Sequence, residues 1–308
     1  MSWTKQGLVF CAAGNFGWMK SHAQVPTILV LKDRLRVYFA TRSTQIESKI
    51  SYVDLDISNP KKILYLHEGE VIKKGSPGTF DEHGVMPSSI VRVNADIYLY
   101  YSGWSRRTSV PYSNFTGLAI SKDDGRTFEK IGAGPILTAK VNEPFSATSP
   151  WVHHDQNGFH MFYCSGTGWI KIKGKYEHTY DIKYAYSSDG IHYEQTGKTI
   201  ISSNSSEEAL TRPSIYKKGG VYYMMFCYRG SRSFRSGPDS YRISHATSSD
   251  LINWSRSERI SLDVSDTGWD CEMVAYPAVV TLKNKTYMFY NGNGFGASGF
   301  GYAELQEP

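Results

Sequence analysis

Five prolines recur along the 308-residue chain at nearly equal intervals: Pro26, Pro87, Pro150, Pro213 and Pro277, spaced 61, 63, 63 and 64 residues apart. Each follows a polar lead-in and opens a β-branched or apolar run, then a short polar turn, then an aromatic-rich run. A period of this length, held over the whole chain, marks a repeat architecture. A unit of about sixty residues with four short strands cannot bury both faces of its own sheet. The repeats therefore predict a single domain over residues 1–308.

Apolar and aromatic runs between polar turns predict four strands in each of the first four repeats, and no segment shows sustained helical spacing. The turn after the third strand recurs as Ser121–Phe128, Ser187–Tyr193 and Ser248–Trp254, with an Asp in each and a Gly in the first two. The fifth repeat has only three strands, near residues 278–282, 286–291 and 299–305. A sheet short of one strand leaves an open edge, and a strand candidate at residues 7–12 has no local partner. The expected fold is all-β: a five-bladed β-propeller of four-stranded antiparallel blades, closed by the N-terminal strand. The segments before the five prolines would converge on one mouth of the central channel.

Counting back five residues from each proline gives Glu82, Glu208 and Glu272 in the second, fourth and fifth copies, against Ser21 and Phe145 in the others. Glycosidic bonds are cut by paired carboxylates, so Glu272 with Glu82 or the adjacent Asp81 is the expected working pair, and Asp270 is a further alternative. Cations and aromatics gather at the same end. His22 and His83 lie four residues before their prolines, Arg212 and Tyr276 directly before theirs. The ends of the second strands carry Arg42, Trp104 with Arg106, Trp169, Arg229 and Asn291. Arg212 is expected at the mouth with a carboxylate or an anion as partner. The glycine-rich run 291–299 reads as a close-approach loop, since no helix follows it. His153 and His154 lack further ligands at metal spacing, and neither a metal nor a cofactor is predicted.

With 22 Tyr, 14 Phe and 7 Trp, the chain suits stacked sheets and equally the faces of sugars. A net charge of +5, from 34 basic and 29 acidic residues, is too small and dispersed to imply nucleic acid. Cys11, Cys164, Cys227 and Cys271 have no metal-site spacing, and Cys164 and Cys227 fall inside strands as buried free thiols. No run reaches membrane-spanning length and no basic-then-apolar leader opens the chain, so a cytoplasmic location without a membrane partner is expected.

From about Pro26 to Leu305 the chain resembles the five-bladed β-propeller glycoside hydrolase superfamily: arabinanases and β-xylosidases, invertases and levansucrases, and mannoside phosphorylases. Phe80-Asp81-Glu82-His83-Gly84-Val85-Met86-Pro87 is similar to the Asp-x-x-Gly-Val-x-x-Pro phrase of the phosphorylase branch, shifted by one. Tyr241 to Asp250 resembles the superfamily's third-strand phrase, and Trp269 to Asn293 is similar to glycosidase-like members of unassigned activity. The resemblance implies a carbohydrate-active enzyme, a glycoside hydrolase acting on a glycosidic or sugar-phosphate bond. Its alternatives are a phosphate-dependent phosphorylase and a propeller that only binds a glycan or nucleotide sugar. The arginines suggest an anionic or phosphate-bearing sugar. A sialidase fits the Ser121–Phe128 turn, but five repeats count against its six blades. The hydrolase branch places Asp directly before its first two prolines and a general acid in the third blade. Here those places hold Val25, Met86 and Thr148-Ser149-Pro150, so that triad does not carry over.

Overall fold

A computed structural model describes residues 2–306. The chain is all-β apart from one helical turn, α1 (Asn293–Gly296). After β1 (Ser2–Phe10), the strands β2 (Ser21–Val30), β3 (Arg34–Arg42), β4 (Ser48–Asp56) and β5 (Ile63–Leu66) form an antiparallel meander. The pattern repeats in β6 (Gly84–Val93), β7 (Asp96–Arg106), β8 (Tyr112–Ser121) and β9 (Glu129–Lys130). It repeats again in β10 (Ala147–Asp155), β11 (Gly158–Ile172), β12 (Lys175–Ser187) and β13 (Glu194–Ile201), and in β14 (Ala209–Lys218), β15 (Val221–Arg229), β16 (Arg242–Ser248) and β17 (Ser255–Arg256). Last come β18 (Ala275–Leu282), β19 (Lys285–Asn291) and β20 (Phe300–Gln306). The orphan strand β1 pairs antiparallel with β20, Gly7 opposite Tyr302 and Leu8 opposite Gly301. Phe10, Phe39, Phe289 and Phe300 pack into one core cluster between the first and last repeats. No helix among the described residues is long and apolar enough to cross a membrane.

The prolines recur because each sits in or directly beside a bulge of a first strand. Register shifts fall at Gln24/Thr27, Pro87/Ser89, Thr148/Trp151, Thr211/Ser214 and Ala275/Ala278. Val25, Ser149, Arg212 and Tyr276, each directly before a proline, have φ of 57°, 50°, 58° and 56°. A bulge re-aims one side chain and is enriched beside functional sites. Holding an L-residue in this left-handed region costs of order 1–3 kcal/mol and needs support from its surroundings.

That support has a fixed source. The Ser149 amide donates to Ser102 Oγ at 3.0 Å, the Arg212 amide to Cys164 Sγ at 3.4 Å and the Tyr276 amide to Cys227 Sγ at 3.4 Å. In each case a side chain late in the preceding repeat's second strand holds the bulge of the next. The Val25 amide donates to Asn291 Oδ1 at 2.7 Å, which joins the last repeat to the first in the same way. Cys164 and Cys227 are indeed buried free thiols, used here as acceptors.

The recurring third-strand turn has an equally local cause. Asp123, Asp189 and Asp250 each accept main-chain amides two to four residues on, and the serine two before each binds the turn as well. Gly125 and Gly190 have φ of 77°, where Leu251 stands at 68° in the third copy. Tyr38 and Tyr100 donate to the carbonyls of Gly125 and Gly190, locking neighbouring repeats together.

Candidate functional site

A cavity of about 430 Å³ opens where the bulges converge. Val25, Met86, Ser149 and Tyr276, the residues directly before four of the prolines, all line it. Every repeat contributes to its wall. The size lies within the range of small-molecule sites. Aromatic rings dominate the repeat-three side. Tyr112 and Tyr180 share a hydroxyl hydrogen bond of 2.9 Å, and Trp169 meets Tyr112 edge-on while stacking on His178 with centroids 4.0 Å apart.

Among the described residues, the charged groups lining the cavity are three guanidiniums, of Arg42, Arg229 and Arg235, and one carboxylate, of Glu177. Glu177 is buried and accepts a fork from Arg235, Nη1 to Oε1 at 2.6 Å and Nη2 to Oε2 at 2.9 Å. Arg229 lies 3.8 Å from the Phe234 ring centroid and donates to the carbonyls of His178 and Gly230; its Nε has no partner among the described residues. Burial, and then the charge of Arg229, lowers the His178 pKa to about 3, so the imidazole is neutral, and neither ring nitrogen has a partner among the described residues. Thr148 Oγ1 and Asn114 Oδ1, on two further lining residues, are also buried without one. No group of three His, Cys, Asp or Glu with metal-holding geometry occurs among the described residues.

Several expectations need correction. Arg212 is buried, does not line the cavity and has no carboxylate partner among the described residues. Its guanidinium donates to the carbonyls of Ser88 and Pro26 and to Thr27 Oγ1 at 2.9 Å, tying the first, second and fourth repeats together. Burial lowers its pKa to about 10. None of Asp81, Glu82, Glu208 and Glu272 lines the cavity. Asp81 is buried with Tyr101 and Lys130, at 3.1 and 2.5 Å. Asp270 repeats this with Tyr290 and Lys5 at 2.9 and 2.8 Å, and Glu143 with Tyr163 and Lys183 at 2.9 and 3.6 Å. In the second, third and fifth repeats an acid before the proline thus serves as acceptor for a second-strand tyrosine and a lysine inside the sheet wall. Glu208 is forked by Arg256 at 2.7 and 2.9 Å. Glu82 accepts from the Gly78 amide. Glu272 is exposed, and its main chain, not its carboxylate, bonds Asn293 and Arg242.

Of the remaining candidates, Arg42, Trp104, Trp169, Arg229 and Tyr276 line the cavity. His22 lies beside Arg42, hydrogen-bonded to Ser21; burial and then that cation lower its pKa to about 4. His83 accepts from the Arg106 amide, while the Arg106 side chain reaches the Gln45 carbonyl at the surface. Asn291 is fully buried; besides holding Val25 it donates to the carbonyls of Ala23 and Gly299. The run 291–299 contains the turn α1 where none was expected, but its close approach is real: a Cβ at Gly292 would collide with the Trp269 carbonyl, and one at Gly299 with that of Phe10.

Sequence reasoning missed Glu177, Arg235, Tyr112 and Tyr180. β11 and β12 run on past the aromatic core segment as a hairpin out to Ile172 and Lys175, and this extension carries Glu177 and Tyr180. The signal was Lys173-Gly174, whose φ values of 47° and 82° suit a two-residue hairpin turn.

The fold is the β-propeller of glycoside hydrolases. One solved glycoside hydrolase superposes with a TM-score of 0.76 over 99% of this chain and 92% of its own, at 18% identity. A thermostable family-43 glycoside hydrolase gives 0.70 over 100% and 94%, at 17% identity. The chain matches no protein-family model. In sequence it is 37% identical to an uncharacterised protein of Mycobacterium tuberculosis over 99% of this chain and 100% of that protein, and it belongs to that protein's family. It is also similar to a 1,2-beta-oligomannan phosphorylase of Thermoanaerobacter sp., 37% identical over 134 residues, which is 42% of this chain and 43% of that enzyme.

Proposed function

We propose that the chain is a cytoplasmic carbohydrate-active enzyme, one five-bladed propeller domain, that cleaves a glycosidic bond with phosphate as acceptor. Five blades closed by the N-terminal strand are supported by the pairing of β1 with β20 and by the Asn291 contact to Val25. Four unpaired cysteines suit a reducing compartment.

The observation that carries the reaction is that, among the described residues, one carboxylate lines the cavity with three guanidiniums. Hydrolysis by either stereochemical course uses two carboxyl groups. Phosphorolysis uses one, because phosphate is itself the nucleophile, and guanidiniums bind phosphate in a bidentate fork. In this reading the incoming phosphate takes Arg235 away from Glu177. Arg235 can move, since its side chain is 59% exposed against 7% for Glu177. Glu177, protonated, then gives its proton to the glycosidic oxygen as a phosphate oxygen attacks the anomeric carbon. The bond to the leaving sugar breaks, a sugar 1-phosphate forms with inversion, and the proton on the transferred phosphate is released to restore Glu177.

The similarity to the oligomannan phosphorylase supports a β-1,2-linked mannoside as first substrate to try. Incubation with such oligosaccharides, with and without inorganic phosphate, tests the reading. Sugar 1-phosphate formed only with phosphate supports it; free reducing sugar formed equally without phosphate sinks it. A propeller that binds glycans without cleaving them is the second reading, favoured by the tight Glu177–Arg235 fork.

A further inference from the structure

Arg42 stands apart from the other charged groups of the sheets. Other buried cations of the sheets are well met: Arg36 by Asp54 at 2.8 and 2.9 Å, Lys130 by Asp81, Lys5 by Asp270 and Arg256 by Glu208, while Arg212 and Arg229, which meet no carboxylate among the described residues, each donate to two main-chain carbonyls. Arg42 is partly buried on the cavity wall, and among the described residues its side chain has one hydrogen-bond acceptor, the neutral Gln24 Oε1 at 3.5 Å. No carboxylate lies within ion-pair distance of it among the described residues. Its neighbour His22 is kept uncharged by burial and by Arg42 itself. A cation withdrawn from water without a counter-charge is costly unless something supplies one.

The cavity has a second cationic side. Arg229 and Arg235 belong to the fourth repeat and Arg42 to the first, with Tyr276 of the last repeat among the lining residues. If the acceptor phosphate meets Arg235 and Glu177, as proposed above, Arg42 is left for another negative group. We infer that Arg42 reads an anionic substituent carried by the sugar itself, a carboxylate or a phosphate ester, so that the substrate class is an acidic sugar. This rests on the carbohydrate reading of the cavity. The guanidinium fork matches both oxyanions in geometry, and a charge-assisted bond in a site partly closed to water is stronger than a neutral one.

The test is calorimetric titration of the full chain with mannose, glucose, glucuronate, mannose 6-phosphate and inorganic phosphate. The inference expects glucuronate or mannose 6-phosphate to bind about 10- to 100-fold tighter than the neutral sugars, the scale of one hydrogen bond to a charged group. Whichever of the two is tighter names the substituent. Arg42→Gln should erase that advantage, leaving the acidic sugars bound no tighter than mannose. Arg42→Lys, which keeps the charge and loses the fork, should reduce the advantage by a smaller factor and serves if the glutamine variant folds poorly. Neutral and acidic sugars bound alike, or an advantage unchanged in both variants, overturns the inference alone. A wild type that binds none of the sugars overturns the carbohydrate reading and this inference with it.

Discussion

The walls of the propeller and the cavity at its mouth hold their carboxylates in different company. In the walls, carboxylates are enclosed by partners: Asp81 by Tyr101 and Lys130, Asp270 by Tyr290 and Lys5, Glu143 by Tyr163 and Lys183. Around the cavity, the Arg229 Nε, Thr148 Oγ1 and both nitrogens of His178 lack partners among the described residues, and Arg42 has only a neutral one. A scaffold gains by satisfying its buried polar groups; Trp3 Nε1 and Ser240 Oγ are also unpartnered away from the cavity, so it is the gathering of such atoms around one cavity that points to a place where something else is met. Two carboxylates with the same chemistry, Asp81 and Glu177, thus differ in meaning by their company. Asp81 is held from inside the wall. Glu177 is held by an arm that reaches out to solvent.

The sharpest way to break this comparison is Lys130→Met. It leaves Asp81, 1% exposed, without its cation. Stripping one partner from a buried pair destabilises by about 3–5 kcal/mol, which urea unfolding would measure, while sugar affinity of the folded variant stays at the wild-type value. A loss below about 1 kcal/mol, the scale of a surface pair, would mean the walls do not depend on these contacts.

A smaller effect separates the layers by pH. The pKa of His178 falls from its ordinary 6.5 to about 3. Below the higher value the unfolded chain binds a proton that the native chain refuses. This contribution to stability is therefore complete above pH 6.5 and drains as the pH falls towards 3. The slope is at most about 1.4 kcal/mol per pH unit. His178→Phe should flatten that slope in urea midpoints followed from about pH 7 to about pH 4.5, and an unchanged acid limb would show that His178 is not its source.

The smallest expected effect has the opposite sign. Thr148→Val replaces an unpartnered buried hydroxyl by a methyl. Removing an unsatisfied polar group stabilises by about 1 kcal/mol, read as a raised melting temperature, and weakens binding of whatever the cavity holds. A fall in melting temperature would assign Thr148 to the scaffold.

Much of the architecture was legible because its cause is local and repeated. The proline period marks a bulge that every repeat must make, and the three-stranded fifth repeat called for β1. The site was less legible, for a related reason. Counting five residues back from a proline assumes lead-in loops of one shape, yet of the three acids it found Glu208 answers to a single arginine, Glu82 to the Gly78 amide, and Glu272 is exposed. The position that the fold carries to the mouth is the one directly before the proline, because the bulge turns it there; Val25, Met86, Ser149 and Tyr276 show this, and Arg212, buried and outside the cavity lining, is the exception. Glu177 escaped notice because it belongs to no repeat position. It rides on a hairpin extension peculiar to the third repeat.

The most direct test of the account sets Glu177→Gln beside Glu272→Gln in one phosphorus magnetic-resonance assay of sugar 1-phosphate formation. The two changes are chemically identical, but Glu177 is buried on the cavity wall in a fork with Arg235, whereas Glu272 is exposed and outside it. The account predicts that Glu177→Gln lowers turnover by about two or more orders of magnitude, the scale of lost acid–base catalysis, while Glu272→Gln stays within about twofold of wild type. Turnover that survives in Glu177→Gln and collapses in Glu272→Gln would contradict it.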